Sequence, residues 1–271
     1  MIPHYLTSRA GRIFSIYFPP SSETPVTRRL LFLPPFAEEM NRSRHVIAAF
    51  ARGCAARGIG VLVLDPFGTG DSEGDFSEAG WDIWRDDIAT AVAWLAEQGP
   101  EPISIGGLRL GGSLAAAVAA DRPGRFARLV LWQPVTNGQT YLKQFLRIRL
   151  AADLSDGAGQ DTKSLMAALE AGETVEVAGY DLPPALAKGI EALRLGPLGL
   201  AAQAPVIWME VAARDDATLS PAASRMISDW QARGIDVVAK PVKDEAVWNL
   251  QIRVEMHDFV RAAVEAMGEV A

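Results

Sequence analysis

Residues 102–106 (Pro-Ile-Ser-Ile-Gly) read as a buried strand and residues 112–120 (Gly-Ser-Leu-Ala-Ala-Ala-Val-Ala-Ala) as a helix, with only Gly107-Leu108-Arg109-Leu110-Gly111 between them. A strand that turns into a helix over so few residues brings two backbones almost into contact. Glycine, having no Cβ, is the residue that allows this. The glycines two positions before and after Arg109 therefore place that arginine at the apex of a sharp turn. A unit of this kind belongs to a mostly parallel sheet, in which helices return each strand and cover its faces.

The rest of the chain repeats the alternation. Residues 11–18 alternate like a hairpin strand, before a Pro/Ser-rich loop at 19–25. Residues 29–33 and 60–65 are short apolar runs, as strands buried on both faces require. Helical spacing is found at 41–57, through Val46, Ala49, Phe50 and Cys54, and again through Trp81, Trp84, Ile88, Ala91, Val92 and Leu95. Residues 126–132 give a further strand. Regularity breaks after Pro134, where Leu142, Phe145, Leu146 and Leu150 mark a helix that also carries Lys143, Arg147 and Arg149. A Gly/Asp/Ser-rich loop at 153–164 follows, then helical patterns at 165–171 and 184–193 around a strand-like 174–177. The alternation resumes with a strand at 205–210, a helix at 221–233, a strand at 235–239 and a helix at 250–266. The expected architecture is α/β, a mostly parallel central sheet with helices on both faces. Residues 1–135 and 203–271 form its core domain, and 136–202 an inserted helical lid subdomain.

A chain of 271 residues, 49% hydrophobic and 22% charged, has ample length for such a core. Its net charge of −7 and pI near 5.1 argue against a nucleic-acid partner. One cysteine, Cys54, excludes an intramolecular disulfide framework. There is no secretion signal at the start and no apolar run of the ~20 residues a membrane span needs, so cytoplasm is the expected location. Whether the chain forms a homodimer is left open by its sequence.

The strand, turn and helix around Arg109 match the G-x-S-x-G nucleophile elbow of α/β-hydrolases, which lifts a serine hydroxyl above the sheet. The irregular stretch lies where that fold commonly inserts a lid. Only the serine is missing. Arginine cannot replace it, because guanidinium stays protonated and has no lone pair with which to attack a carbonyl.

The neighbouring loops supply the other candidates. Residues 34–44 leave the first central strand, where one oxyanion-hole amide would originate, and bring Phe36, Glu38 and Glu39 toward the elbow. Residues 65–72 resemble the D-x-x-G-x-G-x-S loop of the fold and read as structural, their glycines allowing a tight turn. After the strand at 205–210, Asp215 or Asp216 occupies the acid position, unless both are solvated beside a helix capped by Ser220. The base position holds no histidine. Trp248 stands near it and can close the pocket by packing, while His4, His45 and His257 read as an amino-terminal tail and two helix positions. Ser113, Ser104 and Cys54 read as packing residues, and no His/Cys/Asp cluster has metal-ligand spacing. No cofactor or metal is expected.

Four stretches together, PPFAEEMNRSR at 34–44, D-x-F-G-x-G-D-S-x-G-D-F at 65–76, WRDD at 84–87 and GLRLG at 107–111, resemble the exosortase A system-associated hydrolase 2 family. The match is close from about Leu30 to Gly112 and extends in order and spacing over most of the chain. The resemblance implies an α/β-hydrolase branch encoded beside bacterial exopolysaccharide and protein-sorting systems. It also implies that arginine in the elbow is a trait of the family. It carries over no substrate.

These residues favour a site without serine chemistry. Arg109 stands in the nucleophile position, with Asp215 or Asp216 as the acid and Phe36, Glu38, Glu39, Leu110 and Trp248 lining the pocket. Such a site suits a small anionic or acyl ligand, because a guanidinium at a helix amino end binds carboxylate or phosphate. Three alternatives stay open: an internal pair between Arg109 and an acid, hydrolysis with Arg109 as oxyanion donor and an acid as base, and a protein-interaction scaffold using the lid.

Overall fold

The computed structural model describes residues 1–21, 23–153, 161–200, 204–212 and 217–269. Among the described residues, ten strands and eight α-helices run in the order β1 (Ile2–Thr7), β2 (Arg12–Phe18), β3 (Arg28–Leu33), α1 (Glu38–Ala55), β4 (Ile59–Leu64), α2 (Trp81–Glu97), β5 (Ile103–Leu108), α3 (Leu110–Asp121), β6 (Leu129–Trp132), α4 (Gly138–Asp153), α5 (Thr162–Glu170), β7 (Val175–Val177), β8 (Tyr180–Leu182), α6 (Pro184–Ala192), β9 (Val206–Ala212), α7 (Pro221–Ala232), β10 (Val237–Lys243) and α8 (His257–Glu269). Eight strands form one sheet in the order β1-β2-β4-β3-β5-β6-β9-β10. The pairings β1–β2 and β2–β4 are antiparallel, and every pairing from β4 to β10 is parallel.

Alternation along each strand divides the core. Leu31 and Leu33 face α2 and α3, whereas Leu30 and Phe32 face α1 and α8. Fully buried Leu and Phe side chains such as these contribute about 1.5–3 kcal/mol each. Between β6 and β9 the chain leaves the sheet for α4, α5, the β7–β8 hairpin and α6. This insertion packs on the face that carries α2 and α3, above the carboxyl ends of β3 and β5.

The 65–72 loop is held by internal hydrogen bonds. Buried Asp65 accepts from Arg44 at 2.8 and 3.0 Å and from the Asp71 amide, while Ser72 donates to the Asp65 carbonyl and accepts from Phe14 N. Asp87 of α2 anchors the neighbouring turn, accepting from Ser8 Oγ at 2.5 Å and Phe67 N at 2.8 Å. Burial raises its pKa, and the two hydrogen bonds only partly offset this.

Several boundaries differ from the sequence reading. His4 lies in edge strand β1, where its ring stacks on Trp94, and not in a loose tail. Helix α1 starts at Glu38, three residues before the expected start at Asn41, and its two leading glutamates suit the helix dipole. The last strand extends through Pro241 to Lys243. It is an edge strand, so a residue without an amide hydrogen is tolerated there. Residues 250–256 are not helical, and α8 begins only at His257. The His45 ring contacts the Val254 carbonyl at 2.7 Å, and Asp244 from beyond β10 accepts the Phe259 amide, so tertiary bonds set this helix start. The partner of the strand at 175–177, β8, was not signalled by any alternation.

Candidate functional site

Strand β5 ends at Leu108 and α3 begins at Leu110, with Arg109 between them at φ 55° and ψ −122°. That is a left-handed conformation which a residue with a Cβ adopts only under constraint. The constraint is visible: Arg109 N donates to Trp132 O at 2.8 Å, and the Arg109 carbonyl accepts from Ser113 N and Oγ, both at 3.2 Å. A Cβ on Gly111 would stand 2.2 Å from the Pro34 carbonyl oxygen, so the elbow closes only with glycine there. Ala37, which opens α1, has nearly the same dihedrals, φ 51° and ψ −128°. Two helix amino ends thus start from matched turns on neighbouring strands β3 and β5.

Arg109 is not free. Its Nη2 and Nε lie 3.2 and 3.3 Å from Glu39 Oε1, with side-chain exposures of 19% and 18% for the two residues. The other carboxyl oxygen, Oε2, accepts from Tyr141 Oη at 3.1 Å. The guanidinium carbon lies 5.5 Å from the Tyr141 ring centroid and 5.8 Å from that of Trp248, so two aromatic faces flank the charge. Nη1 reaches only the Gln133 carbonyl, at 3.5 Å. Burial raises the pKa of Glu39, and the nearby charge and hydrogen bond of Arg109 oppose that without reversing it. Burial and the Glu39 charge hold the Tyr141 phenol well above its ordinary value, so it remains a donor.

The expected residues converge unevenly. Phe36, Glu38, Glu39, Arg109 and Trp248 line one cavity of about 300 Å³, together with Arg42 and Tyr141. Glu38 does not face the arginine of the elbow. It accepts from Tyr180 Oη at 3.2 Å and Asn41 Nδ2 at 3.3 Å, and lies 3.8 Å from Arg42 Nε. Leu110 is buried and lines a second, mostly apolar cavity of about 270 Å³. Asp215 and Asp216 lie outside the described residues. None of the three histidines lines either cavity. Among the described residues no three His, Cys, Asp or Glu side chains are grouped to hold a metal ion.

Sequence reasoning missed three participants. Tyr141 stands in the first turn of α4, whose apolar stripe carried no sign that one ring would reach Glu39. Gln133, at φ 43°, links two strands: its Nε2 lies 3.4 Å from Glu210 Oε1 and its Oε1 accepts from Val211 N. Glu210 is buried in β9 and also accepts from Ser220 N. An acid inside an otherwise apolar strand was the available signal.

A family model described as serine aminopeptidase, S33, matches residues 24–170, more than half of the chain and the whole segment that carries the elbow. The chain belongs to this family. Its fold is the α/β-hydrolase fold, and solved structures agree. Est1E from Butyrivibrio proteoclasticus, with ferulic acid bound, has a TM-score of 0.73 at 16% identity, over 98% of each chain. Mouse alpha/beta hydrolase domain-containing protein 10 has a TM-score of 0.65 at 16% identity, over 100% of each chain. The bottromycin epimerase BotH, in complex with bottromycin A2, has a TM-score of 0.57 at 16% identity, also over 100% of each chain. At such identities the likeness concerns the fold. No curated protein sequence matches the chain.

Proposed function

We propose that this protein binds a small anionic or acyl ligand at Arg109 without forming a covalent intermediate. In this reading Asp215 or Asp216 keeps the acid position, and residues 136–202 act as a lid. In this reading the protein serves exosortase and exopolysaccharide systems, as the motif resemblance implies, and works in the cytoplasm. One observation carries the reading: a cation occupies the elbow, where an attacking oxygen would have to stand, and it borders a cavity of about 300 Å³. Glu39 and two aromatic rings hold the guanidinium in place, so an arriving anion meets a positioned donor. Est1E holds ferulic acid, a carboxylic acid, in the same fold, and BotH is an epimerase, so the fold is not confined to hydrolysis.

Titration calorimetry with octanoate, glucuronate and inorganic phosphate tests this. At least one should bind the wild type, and Arg109→Gln should weaken it tenfold or more. Equal affinity in the two proteins would sink the proposal.

A second reading keeps catalysis. The raised pKa of Glu39 is what a carboxylate needs to act as a general base near neutral pH, with Arg109 as oxyanion donor. Ester hydrolysis that survives a serine-directed phosphonate but disappears in Glu39→Gln would establish it. Full phosphonate sensitivity would exclude it.

A further inference from the structure

Phe36 stands between the two cavities. On one side are Arg109, Glu39 and Arg42; on the other are Leu33, Met40, Phe76, Trp84, Leu110 and Leu114. Among the described residues only Phe36 and Tyr180 belong to both walls. The Phe36 ring meets Phe145 at 4.9 Å and Tyr141 at 6.2 Å toward the charged side, and Phe76 at 5.6 Å and Trp84 at 6.3 Å toward the apolar side. Tyr180 comes from the inserted hairpin and packs on Phe76 at 5.2 Å. Its hydroxyl is latched to α1, donating to Glu38 at 3.2 Å and accepting from Asn41 Nδ2 at 3.0 Å. The wall is therefore two rings from different parts of the chain, Phe36 held by packing and Tyr180 by two hydrogen bonds to α1.

We propose that Phe36 and Tyr180 are an openable partition, and that the ligand is an unbranched carboxylate with its head at Arg109 and its chain in the apolar chamber. This rests on the reading of Arg109 as an anion site. Each cavity alone lies at or just below the lower limit of small-molecule sites, ~300–1,000 Å³, whereas the two joined fall well inside it. The side-chain donors of the apolar chamber are already engaged: Thr69 Oγ1 donates to the Pro66 carbonyl, and Asn41 Nδ2 to Tyr180 and Glu38. A glycan would strand its hydroxyls there, while an alkyl chain would not. Glu39 keeps Nε and Nη2 of Arg109, which leaves the head the Nη1 edge, held otherwise by the Gln133 carbonyl at 3.5 Å.

The test is the chain-length dependence of binding, measured with n-alkanoates from butanoate to decanoate below their micellar concentrations. Wild type should gain about fourfold in affinity per methylene and then level off once the chamber is full. Leu114→Phe, which narrows the chamber, should bring that plateau to a shorter chain. Tyr180→Phe keeps the ring but removes the latch, and should speed decanoate association severalfold in stopped-flow tryptophan fluorescence. Equal affinity for butanoate and decanoate, or a plateau that Leu114→Phe does not move, overturns the partition while leaving the anion site standing. Absence of binding at every length, or binding indifferent to Arg109→Gln, overturns the anion site and the partition with it.

Discussion

Arg109 and Glu39 are paired, but the two members do not depend on each other equally. A guanidinium cannot give up its proton, whereas a carboxyl group can take one. Burial already raises the pKa of Glu39, so the loss of Arg109 leaves an acid that neutralises itself and keeps its Tyr141 hydrogen bond. The loss of Glu39 leaves a fixed charge at the elbow. Glu39→Gln should therefore cost more than Arg109→Gln, and neither should exceed about 3 kcal/mol, the low end for breaking a buried pair. Urea midpoints of the two variants check the order, and the reverse ranking would show that the arginine is the supported partner. Asp87 is a second acid raised by burial, and its pH dependence follows from linkage. The folded state holds the proton to higher pH than the unfolded one, so this contribution is complete at low pH and is lost as pH rises through the folded pKa. The stability advantage of wild type over Asp87→Asn should accordingly shrink as pH rises from about 4 to 7. An advantage that grows over this range would mean that the ionised form is the one the fold prefers.

The turns were the most legible elements, because their glycines leave no alternative. A Cβ on Gly111 would lie 2.2 Å from the Pro34 oxygen, backbone against backbone, so neither partner can yield by rotating a side chain. Gly111→Ala should lose more than about 3 kcal/mol, in the range of the most damaging single substitutions, measured by thermal or urea unfolding. A loss below 1 kcal/mol would mean that α3 can slide along β3. Gly124 has φ +77° with nothing near its Cβ position, and serves as a comparison limited to backbone strain. Elements whose limits depend on distant partners were less legible. Residues 250–256 have helical composition, yet the Asp244 carboxylate fixes the helix start at His257 and the Val254 carbonyl is engaged by His45. The pairing of Glu39 with Tyr141 spans 102 positions, and no local period announces a bond of that kind. Arg109 itself could be placed at the apex from glycine spacing alone, and Glu39 stood among the acids open to it as a partner; its contacts with Tyr141 and the Gln133 carbonyl could not be foreseen.

Across the whole molecule, the α/β-hydrolase frame is intact, and the proposed non-covalent site rests on two residues far apart in sequence. The elbow carries Arg109, and Trp248, close to where a base would be needed, is buried over the guanidinium at 5.8 Å. Arg109→Ser alone should leave p-nitrophenyl acetate hydrolysis at the buffer rate, since no histidine lines either cavity to activate the hydroxyl. Turnover in that variant would reveal a base supplied from elsewhere.

The charges around the 300 Å³ cavity have one more consequence. Its lining includes two acids, Glu38 and Glu39, and two arginines, Arg42 and Arg109, a formally electroneutral set. An anion entering such a set leaves an excess negative charge in a poorly hydrated space, and the cheapest remedy is a proton on the acid whose pKa burial has already raised. Ligand uptake and proton uptake then become a single event. Binding should weaken as the medium becomes more alkaline, and calorimetry in buffers of different ionisation enthalpy should register on the order of one proton taken up per anion bound.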